Sequence, residues 1–267
     1  MWFTAFDASA IGRITTSGTI STFPLPESGV EPASIVAGPD GALWFTEYYG
    51  NRIGRITTSG AITEYPLPRP SSEPEEIGVA SDGALWFTEQ TAQAIGRITT
   101  AGAITEFPLA AGSYPNPLTI GPDGTPWFGE TGSNKIGHIS LQGVVSEYPI
   151  PTPNSGPFGI AKGSDGAIWF TESGAAKIGR VTSGGAFTEY QLPAGVSHPW
   201  QLASAADGGL WFLAQGYIGH ISMSGVVTTY AASNVDTSSL NTITLGADGH
   251  IWYTQRSTND LDWFAAP

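Results

Sequence analysis

The chain has 267 residues, with 23 acidic against 10 basic side chains, a formal net charge of −13 and no cysteine. An acidic surface repels phosphate backbones, so nucleic acid is not expected as a partner, and the lack of cysteine excludes disulfides, a thiol nucleophile and thiolate metal sites. No apolar run reaches the length of a membrane span, and the start, Met1-Trp2-Phe3-Thr4, does not read as a signal peptide, which leaves the compartment open between cytoplasmic and secreted.

Taken in order, the chain opens on a truncated copy, at Trp2, of a pattern complete at Asp40-Gly41-Ala42-Leu43-Trp44-Phe45-Thr46-Glu47. The pattern returns around Trp86, Trp127, Trp169, Trp211 and Trp252, with successive tryptophans 42, 42, 41, 42, 42 and 41 positions apart. So regular a period signifies copies of one supersecondary unit. In the second copy, strands are predicted over 34–37, 42–47, 53–57 and 61–66. Asp40-Gly41 and Ser59-Gly60 make the tight turns, because both turn types need residues that tolerate positive φ. Pro66 suits the fourth strand to an outer edge, since proline cannot donate to a ladder. No segment has sustained helical periodicity.

Four antiparallel strands per unit of about 40 residues predict an all-β fold, a β-propeller forming a single domain over 1–267. Seven repeats imply seven blades and about 26 strands. The blades formed by the two ends are expected to be incomplete: the first unit starts at its second strand, and the seventh runs 242–245, 250–254 and a possible third strand at 261–264. A segment closing the ring is expected to be missing, with Met1 an internal start. A six-bladed ring, pairing 11–24 with 242–254 in one sheet, is the alternative.

Antiparallel geometry puts the tight turns on one face. The longer, variable loops between units and between strands two and three lie on the other, where binding residues are favoured. Two rows of residues fall there. Strand two ends in Glu47, Glu89, Glu130 and Glu172, with Ala5, Ala214 and Gln255 in the remaining units. The residue after the proline that opens strand one is Ala33, Glu75, Asn116, Phe158 or Trp200, with Asn241 equivalent in the seventh unit. Just before that proline-led position stand Glu31, Glu73, Tyr114, Gly156, His198 and Ser239.

The Trp-Phe pairs read as core between blades. Arg13, Arg55, Arg97 and Arg180 recur with the strand pattern, and His138 and His220 occupy the same repeat position, so these are expected to be structural. The four glutamates either bond nearby loop backbone or hold a cation, since converging carboxylates are costly without one. His198 is a lone loop histidine, and His250 falls near the tight-turn face. Phe158 and Trp200 depart from the repeat, which favours ligand contact.

The stretches 38–47 (Gly-Pro-Asp-Gly-Ala-Leu-Trp-Phe-Thr-Glu) and 51–68 (Asn-Arg-Ile-Gly-Arg-Ile-Thr-Thr-Ser-Gly-Ala-Ile-Thr-Glu-Tyr-Pro-Leu-Pro) resemble the virginiamycin B lyase family, and the resemblance spans almost the whole chain. It implies a seven-bladed propeller and eliminative C–O cleavage that linearises streptogramin B antibiotics, which are cyclic depsipeptides, and hence antibiotic resistance. It also implies Mg²⁺ and a histidine general base. The family's base lies in a Pro-His-Gly stretch opening strand one late in the chain. Here no Pro-His-Gly occurs, the last unit reads Ser239-Leu240-Asn241-Thr242, and the family's acid near the last strand two falls at Gln255.

The catalytic assignments are therefore His198 as base with Glu172. Glu75, Asn116, Phe158, Trp200 and Asn241 are expected to contact the ligand, and Glu47, Glu89, Glu130 and Glu172 to hold Mg²⁺. Streptogramin B cleavage is expected to be weak or absent, and lost in His198→Ala. The alternative is a non-catalytic propeller binding a peptide, glycan or cation on its loop face. The partner in either case is a small molecule or peptide, and the protein is expected to be a monomer.

Overall fold

The computed structural model describes residues 1–15, 17–232, 242–246, 249–255 and 260–265. Blade 1 contains β1 (Trp2–Ala5), β2 (Ala10–Ile14) and β3 (Ile20–Pro24), with one 3₁₀ turn at Phe6–Ala8. Blade 2 contains β4 (Pro32–Ala37), β5 (Leu43–Glu47), β6 (Arg52–Ile56) and β7 (Ile62–Pro66). Blade 3 follows with β8 (Pro74–Val79), β9 (Leu85–Glu89), β10 (Ala94–Ile98) and β11 (Ile104–Pro108). Blade 4 is β12 (Pro115–Ile120), β13 (Pro126–Glu130), β14 (Lys135–Ile139) and β15 (Val145–Pro149). Blade 5 is β16 (Pro157–Lys162), β17 (Ile168–Glu172), β18 (Lys177–Val181) and β19 (Phe187–Gln191). Blade 6 is β20 (Leu202–Ser204), β21 (Leu210–Ala214), β22 (Tyr217–Ile221) and β23 (Val227–Ala231). Blade 7 closes the sequence with β24 (Ile243–Leu245), β25 (Ile251–Gln255) and β26 (Asp260–Phe264).

Each sheet is a simple meander of neighbouring strands, and the fold is a seven-bladed, all-β propeller. The described strands number 26, and the first and last sheets have three strands each. The six-bladed alternative is corrected here: 10–24 and 243–264 belong to separate sheets. No helix among the described residues is long and apolar enough to cross a membrane. The chain divides into two compact units, one comprising 1–120, 124–133 and 138–146, the other 121–123, 134–137 and 147–267.

Burial follows the repeat. Trp44, Trp86, Trp127, Trp169 and Trp211 are all buried. In the first unit Trp44 packs into a cluster with Ile77, Leu85, Phe87 and Ile98 of blade 3; in the second, Trp169 joins Leu202, Leu210, Phe212 and Ile221 of blade 6. The tryptophan of one blade thus fills the face of the next. The tight turn fixes its ring. Asp40 accepts the indole N–H of Trp44 at 3.1 Å and the Arg55 Nε at 2.7 Å, and the guanidinium lies over the Trp44 ring. Asp82–Trp86–Arg97 and Asp165–Trp169–Arg180 repeat the arrangement. The recurrent arginines are therefore structural, as the sequence suggests.

The strand-two phenylalanine requires a glycine opposite. Phe45 pairs with Gly54, and a Cβ on Gly54 would lie 2.1 Å from the phenyl ring. The same contact recurs for Phe87 with Gly96 and Phe170 with Gly179.

Candidate functional site

Strand one carries a device the repeat pattern alone does not disclose. In blades 2 to 5 its register shifts just after the opening proline, between Pro32 and Ile35, Pro74 and Ile77, Pro115 and Leu118, and Pro157 and Ile160. Two residues bulge opposite one on strand two, and a bulge of this kind re-aims side chains. The first bulged residue is the expected ligand row: Ala33, Glu75, Asn116 and Phe158.

The opposing strand-two residue holds the bulge. The N–H of Glu76 donates to Thr88 Oγ1 at 3.1 Å, and the Thr88 hydroxyl donates to the Asn116 carbonyl of the next blade at 2.9 Å. Thr46 likewise accepts from Ser34 N–H at 3.0 Å and donates to the Glu75 carbonyl at 2.6 Å.

The residue before the proline is left-handed throughout. Glu31, Glu73, Tyr114 and His198 have φ of 49°, 52°, 45° and 50°, and Gly156 has 62°. Non-glycine residues rarely adopt this conformation, and the strain costs about 1–3 kcal/mol each where the surroundings impose it. The sequence names this row but does not disclose its conformation. Its signal was Gly156, the one glycine at that repeat position.

In the first unit the row builds an acidic patch. Tyr48 donates to Glu73 at 3.0 Å, and Thr91 donates to the same carboxylate. The Ser34 hydroxyl donates to Glu76 at 3.0 Å. Burial, with the Glu76 charge beside it, raises the Glu75 carboxyl to about 7 against the opposing pull of the Asn116 side chain. Burial raises Glu76 as well, against its bond from Ser34. Exposed Tyr49 stands beside this patch, its ring 4.8 Å from that of Tyr48. Glu76 was not singled out from the sequence, although three acids in the run Ser72-Glu73-Pro74-Glu75-Glu76 were the available clue.

In the second unit the ligand row is aromatic. The rings of Phe158 and Trp200 stack with centroids 3.5 Å apart at 21°. Gly159 lets them approach, since a Cβ there would meet the Trp200 carbonyl at 2.3 Å. His198 is exposed, two residues before Trp200, and its left-handed backbone turns into the buried Pro199. Asn241 lies outside the described residues.

The four strand-two glutamates are wholly buried. Each faces side chains of its own blade or of the adjoining connection. Glu47 faces Glu64 of β7 and Arg52 of β6; Glu89 faces Glu106 and Arg69; Glu172 faces Glu189 and Lys177. Two carboxylates against one cation favour a retained proton. Burial first, then the second carboxylate, raises Glu47 to about 8 and Glu89 and Glu172 to about 7. Glu130 accepts from the Ser133 hydroxyl at 2.5 Å within its own loop. Among the described residues no three His, Asp or Glu side chains gather as a chelate.

These features define a propeller that concentrates its strained backbone, carboxylates and exposed aromatics at one end of its blades. The sequence matches the profile of the virginiamycin B lyase family over residues 1–259, and the chain belongs to that family. It is similar to a solved streptogramin B lyase (36% identity, TM-score 0.88), with 94% of this chain and 85% of that one covered. Virginiamycin B lyase from Staphylococcus aureus is 39% identical, with 94% and 86% covered and a TM-score of 0.88. A catalytically inactive histidine-to-alanine variant of that enzyme, solved with quinupristin, is also 39% identical, with 95% and 87% covered and a TM-score of 0.88. No curated protein adds a sequence match to these.

Proposed function

We propose that this protein binds a cyclic depsipeptide on its loop face and opens the ester slowly by elimination, with His198 as the base. The observation that carries this reading is the left-handed row before the strand-one prolines. It fixes exposed His198 at φ 50°, beside Trp200 and its stacked partner Phe158. Strain of this kind is retained where function uses it.

In this reading the imidazole takes the proton from the carbon α to a carbonyl. That electron pair becomes the Cα–Cβ double bond, the Cβ–O bond breaks, and the ester carboxylate leaves. Phe158 and Trp200 hold apolar ligand groups beside the imidazole. The reaction is slow because the histidine precedes its proline, whereas the family's base follows one.

Magnesium enters through the family alone. The four strand-two glutamates do not fit it, since each is buried against a carboxylate and a cation or a loop hydroxyl of its own blade or of the adjoining connection. No step here runs through the ion, and we infer that Glu172 supports the fold of blade 5.

The absence of Pro-His-Gly favours a second reading, a binder of the same ligand without turnover. Ring opening of a streptogramin B, followed by mass spectrometry beside calorimetric binding, separates the two. Linear product that disappears in His198→Ala while binding persists supports the lyase. Binding without product supports the second reading, and undiminished turnover by His198→Ala refutes the base.

A further inference from the structure

At the opposite end of β21 from Trp200, blade 6 breaks the repeat. In blades 2, 3 and 5 the chain supplies its own guanidinium to a slot made by the turn aspartate and the strand-two tryptophan. Arg13 also lies over Trp2 in blade 1. In blade 6 the arginine is replaced by His220, which is shorter and carries no fork of donors.

The slot is thereby left open. A cavity of about 260 Å³ lies between Asp207, Trp211, His220 and Tyr230, with Leu245 and Gly249 of blade 7 on its far side. The Asp207 side chain is 62% exposed, against 20% and 19% for Asp40 and Asp82, whose arginines cover them. His220 Nε2 reaches the Asp207 oxygens at 3.2 and 3.1 Å from one side and leaves the solvent side uncovered. The imidazole is tilted 58° to the Trp211 ring, 4.9 Å away, so it does not lie flat on the indole. Gly209 lets the imidazole draw back against the turn, because any Cβ there would meet His220 Nε2 at 2.5 Å. Blade 4, the other blade with histidine at this position, differs: the Thr125 hydroxyl lies 2.8 Å from His138 Nε2.

We propose that this slot binds the guanidinium group of an external ligand. The chemistry is what the other blades use internally: a carboxylate for the charge and the face of an indole for the planar cation. A net charge of −13 raises the local concentration of any such cation. The source is either a free guanidino compound or an arginine side chain on a peptide.

The test titrates the intact protein with methylguanidinium and with an acetyl-Gly-Arg-Gly amide, following tryptophan indole N–H resonances. The lysine tripeptide serves as control. Saturable shifts at the Trp211 indole are expected, with the lysine peptide at least about tenfold weaker because it lacks the planar fork. Stronger binding of methylguanidinium identifies a small-molecule slot, and stronger binding of the tripeptide a peptide slot. His220→Arg fills the cavity from within, as the repeat does elsewhere, and should abolish the shifts in a protein that remains folded. Asp207→Asn should weaken binding at least about tenfold. Absence of saturable shifts in wild type, equal binding of the lysine peptide, or unchanged binding by His220→Arg overturns the proposal.

Discussion

Pro117 has no amide hydrogen and Gly129 has no hydroxyl, and the two face each other across the blade 4 bulge. In blades 2, 3 and 5 the same two places hold a bulge N–H and the threonine that accepts it. Donor and acceptor are absent together, so the blade 4 bulge leaves no amide hydrogen without its threonine. The threonine is therefore there for the bulge, and the bulge is what sets the ligand row.

Thr88→Val tests that claim. Valine preserves the shape but removes both bonds of the hydroxyl, leaving the Glu76 N–H and the Asn116 carbonyl unpaired in a buried place. Each stranded group costs roughly 1–3 kcal/mol. Urea unfolding should show a loss of that order, and an unchanged midpoint would mean that the bulge holds itself.

Gly96→Ala should be destabilising by about 1–3 kcal/mol through overpacking, because its Cβ meets the Phe87 ring at 2.1 Å. Phe87→Leu leaves space in the same place. The two changes are in contact, so their costs should not add, and the double variant should be more stable than the sum predicts. Strict additivity in urea melts would show that the strand moves instead of the ring.

The stability of the fold should fall as pH rises from about 5 to about 8. The carboxyls of Glu47, Glu75, Glu89 and Glu172 ionise at about 8, 7, 7 and 7 in the fold, against 4.5 ordinarily. Below 4.5 both folded and unfolded chains are protonated and nothing is lost. Above it the unfolded chain releases protons first, and the native state falls behind until its own groups ionise. Asp40, Asp82 and Asp165 act in the opposite sense. Their bonds from arginine and indole hold them below 3.8 despite burial, so their contribution is present at neutral pH and is lost in acid. Glu47→Gln should flatten the decline. A urea midpoint that rises between pH 5 and pH 8 would contradict the buried pairs.

Much of this architecture was legible from the tryptophan period and the Asp-Gly turns, because both are local and repeat. The third strand of blade 7, β26, was read from Leu261 to Phe264. The direction of the glutamates was not legible. Strand alternation places Glu47 and Phe45 on one face of β5, but the partners of Glu47 depend on Glu64 two strands away and on a cation in between. The strained row was hidden for a similar reason, since the positive φ at Glu31, Glu73, Tyr114 and His198 follows from the turn into strand one and from no one residue type at that position. Blade 6 departs further: Leu213 replaces the threonine, and its carbonyl accepts from Trp200 N–H at 2.7 Å, so Trp200 is held by a regular backbone bond.

His198→Gly separates stability from function at the one place where the two are set against each other. His198 holds φ 50°, and Gly156 occupies the same position in blade 5 at 62°, so the backbone there accepts glycine as it stands. Replacing the histidine relieves a conformational cost of about 1–3 kcal/mol, while the greater freedom of glycine in the unfolded chain returns roughly 0.5–1 kcal/mol of it. The exposed imidazole contributes little packing in exchange. A net gain on the order of 1 kcal/mol is expected, visible as a higher urea midpoint with an unchanged slope. His198→Ala keeps the strain, because alanine has a Cβ, and should be no more stable than wild type. If His198 is the base, both variants lose ring opening and only the glycine variant gains stability. A glycine variant that is less stable than wild type would show that the imidazole holds the loop, and its conformation would then be structural in origin.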